Sequence, residues 1–312
     1  MSMTPTRLPK PRRRQELSKK GHFSKVSGID LHSHSTASDG TLTPIEIIAL
    51  AQQSNLAAVS ITDHDTLEGV RQVLAGKMPA GMHFLTGIEI SISPPPSFSV
   101  SGSLHLLGYG IRVDEPALNN ALNKLQDSRN NRNPQIIAKL NALGLTVSYD
   151  EVQKAAGDGQ LGRPHIATCL VKKGYAADIN DAFDRFLGNG KPAYVDRYRI
   201  PAAQAISHIR AAGGISVLAH PDLYGLPAFE TLRKMVEVLT KEGMMGIEVY
   251  SPEHSDEMTG NLIALARQLD LLMTGGTDFH GGLKPEIQLG TGSGDFFVPF
   301  RLYEKLVDRL PG

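Results

Sequence analysis

Short apolar runs alternate with longer periodic segments from Gly28 onward, and this alternation limits the possible folds more than any other feature of the sequence. The apolar runs have the length of buried β-strands, and the periodic segments have the spacing of amphipathic helices. Several of those segments begin with Thr, Ser or Pro, which are preferred at helix N-termini. Strands that alternate with helices are typical of α/β folds, so the sequence predicts a barrel or a wound sheet.

Between residues 114 and 196 the alternation stops, and the sequence becomes polar and helical. We therefore expect one α/β domain in two pieces, residues 28–113 and 197–312, around a helical insertion at 114–196. The predicted strands are 29–32, 57–62, 83–93, 104–109, 215–219, 246–250 and 271–275. The predicted helices outside the insertion are 43–54, 67–75, 201–212, 229–241 and 256–269.

Size and composition favour a globular protein with a sizeable core. Of the 312 residues, 41% are hydrophobic and 21% are charged, unlike the composition of disordered chains. No stretch approaches the roughly 18 uninterrupted apolar residues of a membrane-spanning helix, and no apolar signal-peptide core follows the basic start. Cys169 has no second cysteine with which to form an internal disulfide. We expect a cytoplasmic protein that does not interact with membranes.

The charge is distributed unevenly along the chain. Residues 1–27 contain eight Lys or Arg and one Glu, which gives +7 and leaves −7 for the other 285 residues, since the formal net charge is zero. This segment mixes prolines with basic residues and has no apolar periodicity, so we predict a disordered arm. It could bind the phosphates of RNA, but a solvated tail without specific function is the favoured interpretation.

Histidines and carboxylates recur in or directly after the predicted strands. His32 and His34 follow the first strand two residues apart, a spacing that points both side chains the same way. Glu89 lies between isoleucines of the third strand, where burial is unfavourable unless the carboxylate is paired or binds a cation. The full set is His32, His34, Asp39, Asp63, His64, Asp65, Glu89, His105, His220, Asp278 and His280.

These residues can converge although they span about 250 positions, because the carboxyl ends of parallel strands form one face of an α/β domain. Nitrogen and oxygen donors without a thiolate suit Mn²⁺, Fe²⁺ or Zn²⁺. Their number exceeds the three or four protein ligands of a single catalytic zinc. The sequence therefore predicts a site for two or three divalent metal ions.

The order of the motifs resembles the polymerase and histidinol phosphatase (PHP) family of metal-dependent phosphoesterases. The motifs are "HSH" with the following Asp39, then "TDHD", "GIE", "HLLGY", "AHP" and "TDFH". This resemblance implies a distorted (β/α)₇ barrel with a trinuclear metal centre, for which Mn²⁺ is favoured and Fe²⁺ or Zn²⁺ are alternatives. The implied metal ligands are His32, His34, Asp39, His64, Glu89, His105, His220, Asp278 and His280.

The predicted insertion is similar to that of one subgroup of the family. Arg129 and Arg132 lie three residues apart on one helical face, and "GRPHIA" contributes Arg163 and His165. The subgroup hydrolyses nucleoside 3′,5′-bisphosphates, and some members are 5′→3′ exoribonucleases. The resemblance implies a substrate cap whose basic residues hold the 5′-phosphate, for which the planar guanidinium group is well suited.

The expected reaction is phosphate-ester hydrolysis by water that metal ions activate. The resemblance implies that Glu89 bridges metal ions, and we expect Asp63 and Asp65 to orient His64 or neighbouring imidazoles. The expected partners are a small nucleotide and short RNA with a 5′-monophosphate; no obligate protein partner is evident.

Two alternatives stay open. A phosphatase for histidinol phosphate or another small phosphomonoester would share the metal ions but would not need Arg129, Arg132 and Arg163. A non-catalytic domain of this fold that serves a protein partner would lack metal ligands, and this sequence has all nine.

Overall fold

The polypeptide forms one curled sheet, surrounded by helices, in a computed structural model that describes residues 28–100, 103–156 and 161–311. The predicted basic arm at residues 1–27 lies outside the described residues. The strands are β1 Ile29–Asp30, β2 Ala58–Ile61, β3 His83–Ser93, β4 Leu104–Tyr109, β5 Ile200–Pro201, β6 Ile215–Leu218, β7 Gly246–Tyr250 and β8 Leu272–Gly275.

The strands follow the order β1-β2-β3-β4-β6-β7-β8, and the short strand β5 pairs with the end of β3. The sheet nearly closes into a barrel, because the backbone of Leu31 donates a hydrogen bond of 3.2 Å to Gly275 and Ser33 forms a parallel bridge with Phe279. The α/β barrel predicted from the sequence is therefore confirmed.

Strand β4 is antiparallel to both of its neighbours, β3 and β6, whereas the other strand pairs are parallel. The expectation that parallel strands bring the site residues together is thus wrong for β4, which carries His105. A loop without a crossover helix joins β3 to β4, and such a direct connection produces an antiparallel pair. His105 near the start of β4 consequently lies at the same edge of the sheet as the carboxyl ends of its neighbours.

Ten α-helices are present in the described residues, together with a π-helical turn at Phe183–Leu187 and two short 3₁₀ turns. Their N-termini follow local rules: the Thr43 hydroxyl accepts from the Glu46 N–H, while the Glu46 carboxylate accepts from the Thr43 N–H. The helices are α1 Pro44–Gln53, α2 Glu68–Ala75, α3 Pro116–Ala142, α4 Tyr149–Ala156, α5 Arg163–Lys172, α6 Ile179–Ala182, α7 Ala202–Ala211, α8 Phe229–Lys241, α9 Asp256–Gln268 and α10 Arg301–Val307.

Helices α3 to α6 lie between β4 and β5 in sequence, and they share a hydrophobic cluster of their own that includes Ile136, Val152, Ile166 and Leu187. The first half of α3 instead packs with residues of the barrel core. Helix α3 therefore connects the barrel to the helical segment. The boundaries of the predicted insertion, 114–196, stay a prediction. Among the described helices, none is long and apolar enough to cross a lipid bilayer.

Candidate functional site

Glu89 occupies the centre of a cluster of imidazoles at one end of the barrel. Its Oε1 atom lies 2.9 Å from His105 Nδ1 and 2.8 Å from His220 Nε2. Its Oε2 atom lies 2.8 Å from His64 Nδ1 and 3.2 Å from His34 Nε2. The two oxygens of one fully buried carboxylate thus face two different sets of imidazole nitrogens.

Two aspartates complete the cluster on either side of His34. Asp278 Oδ1 lies 3.1 Å from His34 Nε2 and 3.3 Å from His32 Nε2. Asp39 Oδ1 lies 3.7 Å from His34 Nδ1 and 3.5 Å from His280 Nε2. The structure therefore brings together all nine residues that the sequence analysis named as metal ligands.

Three groups within this cluster have potential ligand atoms within 4.8 Å of one another, and neighbouring groups share residues. His220 is in none of the three but adjoins them through Glu89. The groups are His34, Asp39, His64 and His280; His32, His34, Glu89 and Asp278; and His64, Glu89 and His105.

Many potential metal-ligand atoms of the cluster are buried and, although several lie close to one another, they form no hydrogen bond of suitable geometry among the described residues. Such atoms are rare in folded proteins because an unpaired buried polar group is unfavourable. Apart from His220 Nδ1, each of these atoms lies within 3.7 Å of another potential ligand atom of the cluster. All are nitrogen or oxygen, so the residues present fit divalent cations. The unpartnered atoms are His32 Nε2, His34 Nδ1 and Nε2, Asp39 Oδ1, His64 Nδ1, Glu89 Oε2 and His220 Nδ1.

The carboxylates of the cluster are anionic. Burial opposes the ionisation of Glu89, but His105 and His64 hold its pKa well below the usual value. Burial also opposes the ionisation of Asp278, whose pKa is held well below the usual value chiefly by Lys284, with Nζ 2.8 Å from Oδ2. Negative charge at these oxygens is what coordination of a cation requires.

Glu248, on β7, contacts the imidazole of His32 and the backbone of His220, and the sequence analysis missed it. Its Oε1 lies 3.0 Å from His32 Nδ1, and its Oε2 accepts a hydrogen bond of 2.7 Å from the backbone N–H of His220. A carboxylate that holds the second nitrogen of a ligating histidine fixes the orientation of the ring. The signal was present in the sequence, since Glu248 lies between apolar strand residues as Glu89 does.

Asp63 does not have the role that the sequence analysis expected. Its carboxylate accepts hydrogen bonds from the Ser35 N–H at 2.8 Å, the Ser35 hydroxyl at 2.7 Å and the Ser38 hydroxyl at 2.6 Å. Within the described part of the chain, these bonds replace the expected contact with an imidazole. Asp63 therefore stabilises the loop that carries His34 and Asp39, rather than orienting His64.

Asp65 also differs from the expectation, because its carboxylate binds arginines instead of an imidazole. Its Oδ2 accepts from Arg129 Nη2 at 2.6 Å and from Arg197 Nη1 at 3.2 Å. The N–H and hydroxyl of Ser91 donate further bonds of 2.7 and 2.9 Å. Although burial opposes ionisation, Arg197 and Arg129 lower the pKa of Asp65. This carboxylate is therefore a fixed anchor for two guanidinium groups.

The arginine cluster consists of Arg129, Arg132, Arg163, Arg197 and Arg199, the last two of which the sequence analysis missed. Arg132 is only 3% exposed, and its Nε and Nη1 have no hydrogen-bond partner among the described residues. Burial, followed by the charges of Arg163, Arg197 and Arg129, lowers the pKa of Arg132 to about 8. Buried positive charge in excess of its carboxylate partners favours the binding of an anion.

Arg163 and His165 lie on the first turn of α5. Arg163 Nη1 donates a 2.9 Å bond to the carbonyl of Leu187, and its guanidinium lies 5.3 Å from the ring centre of Phe183. His165 Nδ1 accepts a 3.0 Å bond from the Gly162 N–H. Burial lowers the pKa of His165. Asp39, one of the nine candidate metal ligands that together form the metal-ligand cluster, acts in the opposite direction. Helix α5 thus carries two predicted substrate contacts, one of which is in the arginine cluster.

Comparisons with known proteins agree with this geometry. Residues 30–187 match the family model of the PHP domain. A 3′,5′-nucleoside bisphosphate phosphatase of Chromobacterium violaceum is 33% identical over 256 residues, covering 82% of this chain and 88% of that protein. The 5′-3′ exoribonuclease Rnm of Escherichia coli is 33% identical over 263 residues, covering 84% of this chain and 87% of that protein.

A solved structure gives the same result. The solved structure is that of a proposed metal-dependent phosphoesterase from Bifidobacterium adolescentis, which superposes on the chain described here with a TM-score of 0.80 and 26% sequence identity. The match covers 92% of the chain described here and 98% of the Bifidobacterium chain. The resemblance inferred from the ordered motifs is confirmed. The chain belongs to the PHP family.

Proposed function

We propose that this protein is a metal-dependent phosphoesterase that removes the 3′-phosphate from nucleoside 3′,5′-bisphosphates and releases nucleoside 5′-phosphates. One observation carries the proposal: consecutive residues serve two sites suited to phosphate. His64 contacts Glu89 in the metal-ligand cluster, while Asp65 holds two members of the arginine cluster. A substrate with two phosphates separated by one ribose would engage both sites at once.

The nine clustered residues would hold three divalent ions, with Mn²⁺ favoured and Fe²⁺ or Zn²⁺ as alternatives, since all donors are nitrogen or oxygen. When bound, such ions lower the pKa of water and neutralise charge that develops on a phosphoryl group. Glu89 is the best candidate for a bridging ligand, because its two oxygens face different imidazoles. Glu248 keeps His32 and His220 in position for this task.

In this proposal, Arg129, Arg132, Arg163 and His165 bind the 5′-phosphate, and the helical segment acts as a cap over the substrate. The unpartnered nitrogens of Arg132 would donate to phosphate oxygens, which accept charge-assisted bonds in a geometry that matches the guanidinium group. Holding the far phosphate places the 3′-phosphate at the metal site and reduces the entropic part of the barrier. The pair Asp65 and Ser91 keeps the guanidinium groups in place.

The same arrangement accounts for two kinds of substrate. When the 3′-oxygen carries a terminal phosphate, hydrolysis releases inorganic phosphate. When the 3′-oxygen is linked to another nucleotide, the same cleavage removes a nucleotide from the 5′ end of a short 5′-monophosphorylated RNA. The names of the relatives from Chromobacterium violaceum and Escherichia coli, a phosphatase and an exoribonuclease, support both parts of the proposal.

The two alternatives are not favoured. A phosphatase for histidinol phosphate would have no use for Arg132, whose burial without a partner is unfavourable unless an anion binds. A non-catalytic domain would not need nine converging metal ligands.

The proposal is tested by measuring phosphate release in the presence of Mn²⁺ from adenosine 3′,5′-bisphosphate, 3′-AMP and histidinol phosphate. We expect the wild type to prefer the bisphosphate and the variants Arg132→Ala and Arg163→Ala to lose that preference. Arg233→Ala is the matched control, since Arg233 pairs with Glu230 and Glu237 on the exposed face of α8. Equal turnover of all three substrates, unchanged in both variants, would overturn the nucleotide proposal.

A further inference from the structure

A cavity of about 580 Å³ lies between the barrel and the helical segment. Phe98 lines it from the loop that joins β3 to β4, and Phe183 and Tyr194 line it from the helical segment. Arg163 and Arg199 of the arginine cluster contribute guanidinium groups to the same wall. Cavities with aromatic walls and a few charged groups, located where two structural units meet, are typical of small-molecule sites.

Phe98 is presented to this cavity by an unusually long connection. Residues 94–103 join two directly paired antiparallel strands, for which a turn of two to five residues is normally sufficient. Within this loop the Phe98 N–H donates a 2.9 Å bond to the carbonyl of Pro95 and forms a turn. The Phe98 side chain packs on the barrel core and stays partly exposed toward the cavity.

We propose that this cavity binds the nucleobase of the nucleotide whose 5′-phosphate is held by the arginine cluster; this inference rests on the proposed function. Two members of the arginine cluster, Arg163 and Arg199, line the cavity, and Arg199 Nη1 donates a 3.4 Å bond to the carbonyl of Arg197 within that cluster. A nucleotide whose phosphate contacts Arg163 would therefore extend into the space beside Phe98, Phe183 and Tyr194.

Three aromatic side chains in the walls, Phe98, Phe183 and Tyr194, suit stacking, an interaction that does not select a particular base. Asp196 is already engaged, since its Oδ1 accepts from Arg199 Nη1 at 2.7 Å and from the Tyr194 hydroxyl at 3.0 Å. Aromatic faces bind any base, because every base has a π-face. Stacking on these side chains would therefore favour substrates that carry a nucleobase, whatever its identity, as an enzyme that removes successive nucleotides from RNA would need.

The test compares adenosine 3′,5′-bisphosphate, uridine 3′,5′-bisphosphate and an abasic 1-O-methylribose 3,5-bisphosphate as substrates. In the wild type we expect the KM of the abasic compound to exceed that of the nucleosides by about 10- to 100-fold, the range that loss of one stacked base produces. The two nucleosides should differ by a few-fold at most. Phe98→Ala should raise the KM for the nucleosides and leave the abasic compound unchanged, whereas Phe98→Tyr should behave as the wild type does.

Phe297→Ala is the matched aromatic control. Phe297 is 47% exposed and lies beside Gly28, which precedes β1 at the opposite end of the barrel, so its loss should leave all three KM values unchanged. As a direct reading of stacking, the fluorescence of 2-aminopurine riboside 3′,5′-bisphosphate should be quenched on binding to the metal-free wild type and not in Phe98→Ala.

Two results would overturn the base-binding proposal alone. One is equal KM values for abasic and nucleoside substrates in the wild type. The other is a Phe98→Ala variant in which KM rises equally for both kinds of substrate and the fluorescence quenching is kept. Failure of the wild type to hydrolyse any of the three bisphosphates with Mn²⁺, Fe²⁺ or Zn²⁺ would instead overturn the proposed function on which it rests.

Discussion

Asp65 Oδ2 accepts a 2.6 Å hydrogen bond from Arg129 Nη2, and these residues lie 64 positions apart. The preceding residue, His64, points to Glu89 instead. The two neighbouring side chains serve different sites because Asp65 has a φ of 55°, in the left-handed region that aspartate tolerates better than most residues. At this bend after β2, two consecutive residues therefore contribute to the metal-ligand cluster and to the arginine cluster.

Replacement of Asp65 by Asn should raise the KM for the bisphosphate and have little effect on kcat at the metal site. Arg129 and Arg197 would lose their shared anionic partner, so their guanidinium groups would no longer be fixed. We expect the KM for adenosine 3′,5′-bisphosphate to rise by about 10-fold or more, with kcat for 3′-AMP nearly unchanged. Steady-state kinetics with both substrates measures this difference. An equal fall in kcat for both would mean that Asp65 serves the metal site.

Loss of the charge of Arg132 should stabilise the protein when no anion is bound. We expect Arg132→Gln to raise the free energy of unfolding at pH 7 by about 1–3 kcal/mol, because a buried charge without a partner is removed. Phosphate should stabilise the metal-free wild type and not the variant. Urea unfolding with and without phosphate measures both effects. A destabilised variant that phosphate still protects would contradict the assignment of Arg132 to an anion site.

The stability difference between wild type and Arg132→Gln should depend on pH in a defined direction. The pKa of Arg132 is about 8 in the folded protein, below its ordinary value in the unfolded chain. Above pH 8 the unfolded wild type therefore binds more protons than the folded wild type, and folding stability rises with pH. The difference in free energy of unfolding between Arg132→Gln and the wild type should be largest at pH 7 and smaller at pH 9.5. A larger difference in free energy of unfolding at pH 9.5 than at pH 7 would be inconsistent with a lowered pKa of Arg132.

Removal of metal ions should abolish hydrolysis, and Glu89→Gln should reduce metal content by more than one ion per chain. The reason is that Glu89 belongs to two of the three candidate groups, and its two oxygens face different imidazoles. We expect dialysis against a chelator to abolish activity, and added Mn²⁺ to restore it in the wild type only. Elemental analysis counts the ions, and a wild type that retains one ion at saturation would refute the trinuclear proposal.

Glu248→Gln should lower metal affinity and activity by about 10- to 100-fold, because the amide is a weaker partner for His32 Nδ1. Glu248→Asp should lose less, since the negative charge is kept. The control is Glu257→Gln, an exposed glutamate on α9. Metal titration and kcat at saturating metal separate affinity from turnover. Unchanged metal affinity in Glu248→Gln would show that the carboxylate does not orient the imidazole.

Much of the fold could be predicted because buried strands and amphipathic helices leave periodic patterns. The bounds predicted for β3, β4, β7 and α8 agree with the structure. Strand β5 was missed because two residues carry no periodicity, and α10 because only Leu302 and Leu306 of its seven residues are buried.

The candidate site was predicted unevenly for a physical reason. Potential metal ligands could be recognised because histidine and acidic residues are unusual at the ends of apolar strands. The partners of Asp65 could not be recognised, because Arg197 lies 132 positions away and no sequence pattern indicates which carboxylate an arginine pairs with. The antiparallel direction of β4 was also hidden, because an apolar run has the same pattern in either direction.

The direct connection from β3 to β4 places a loop on the same rim of the barrel as the metal-ligand cluster. The helical segment returns to that rim through β5, whose Ile200 pairs with Ile92 of β3. The loop and the helical segment are thus attached beside the strand path β1-β2-β3-β4-β6-β7-β8, which positions the candidate ligands. Lengthening or exchanging either part would alter which molecules enter, while the hydrolytic machinery beneath would keep its shape.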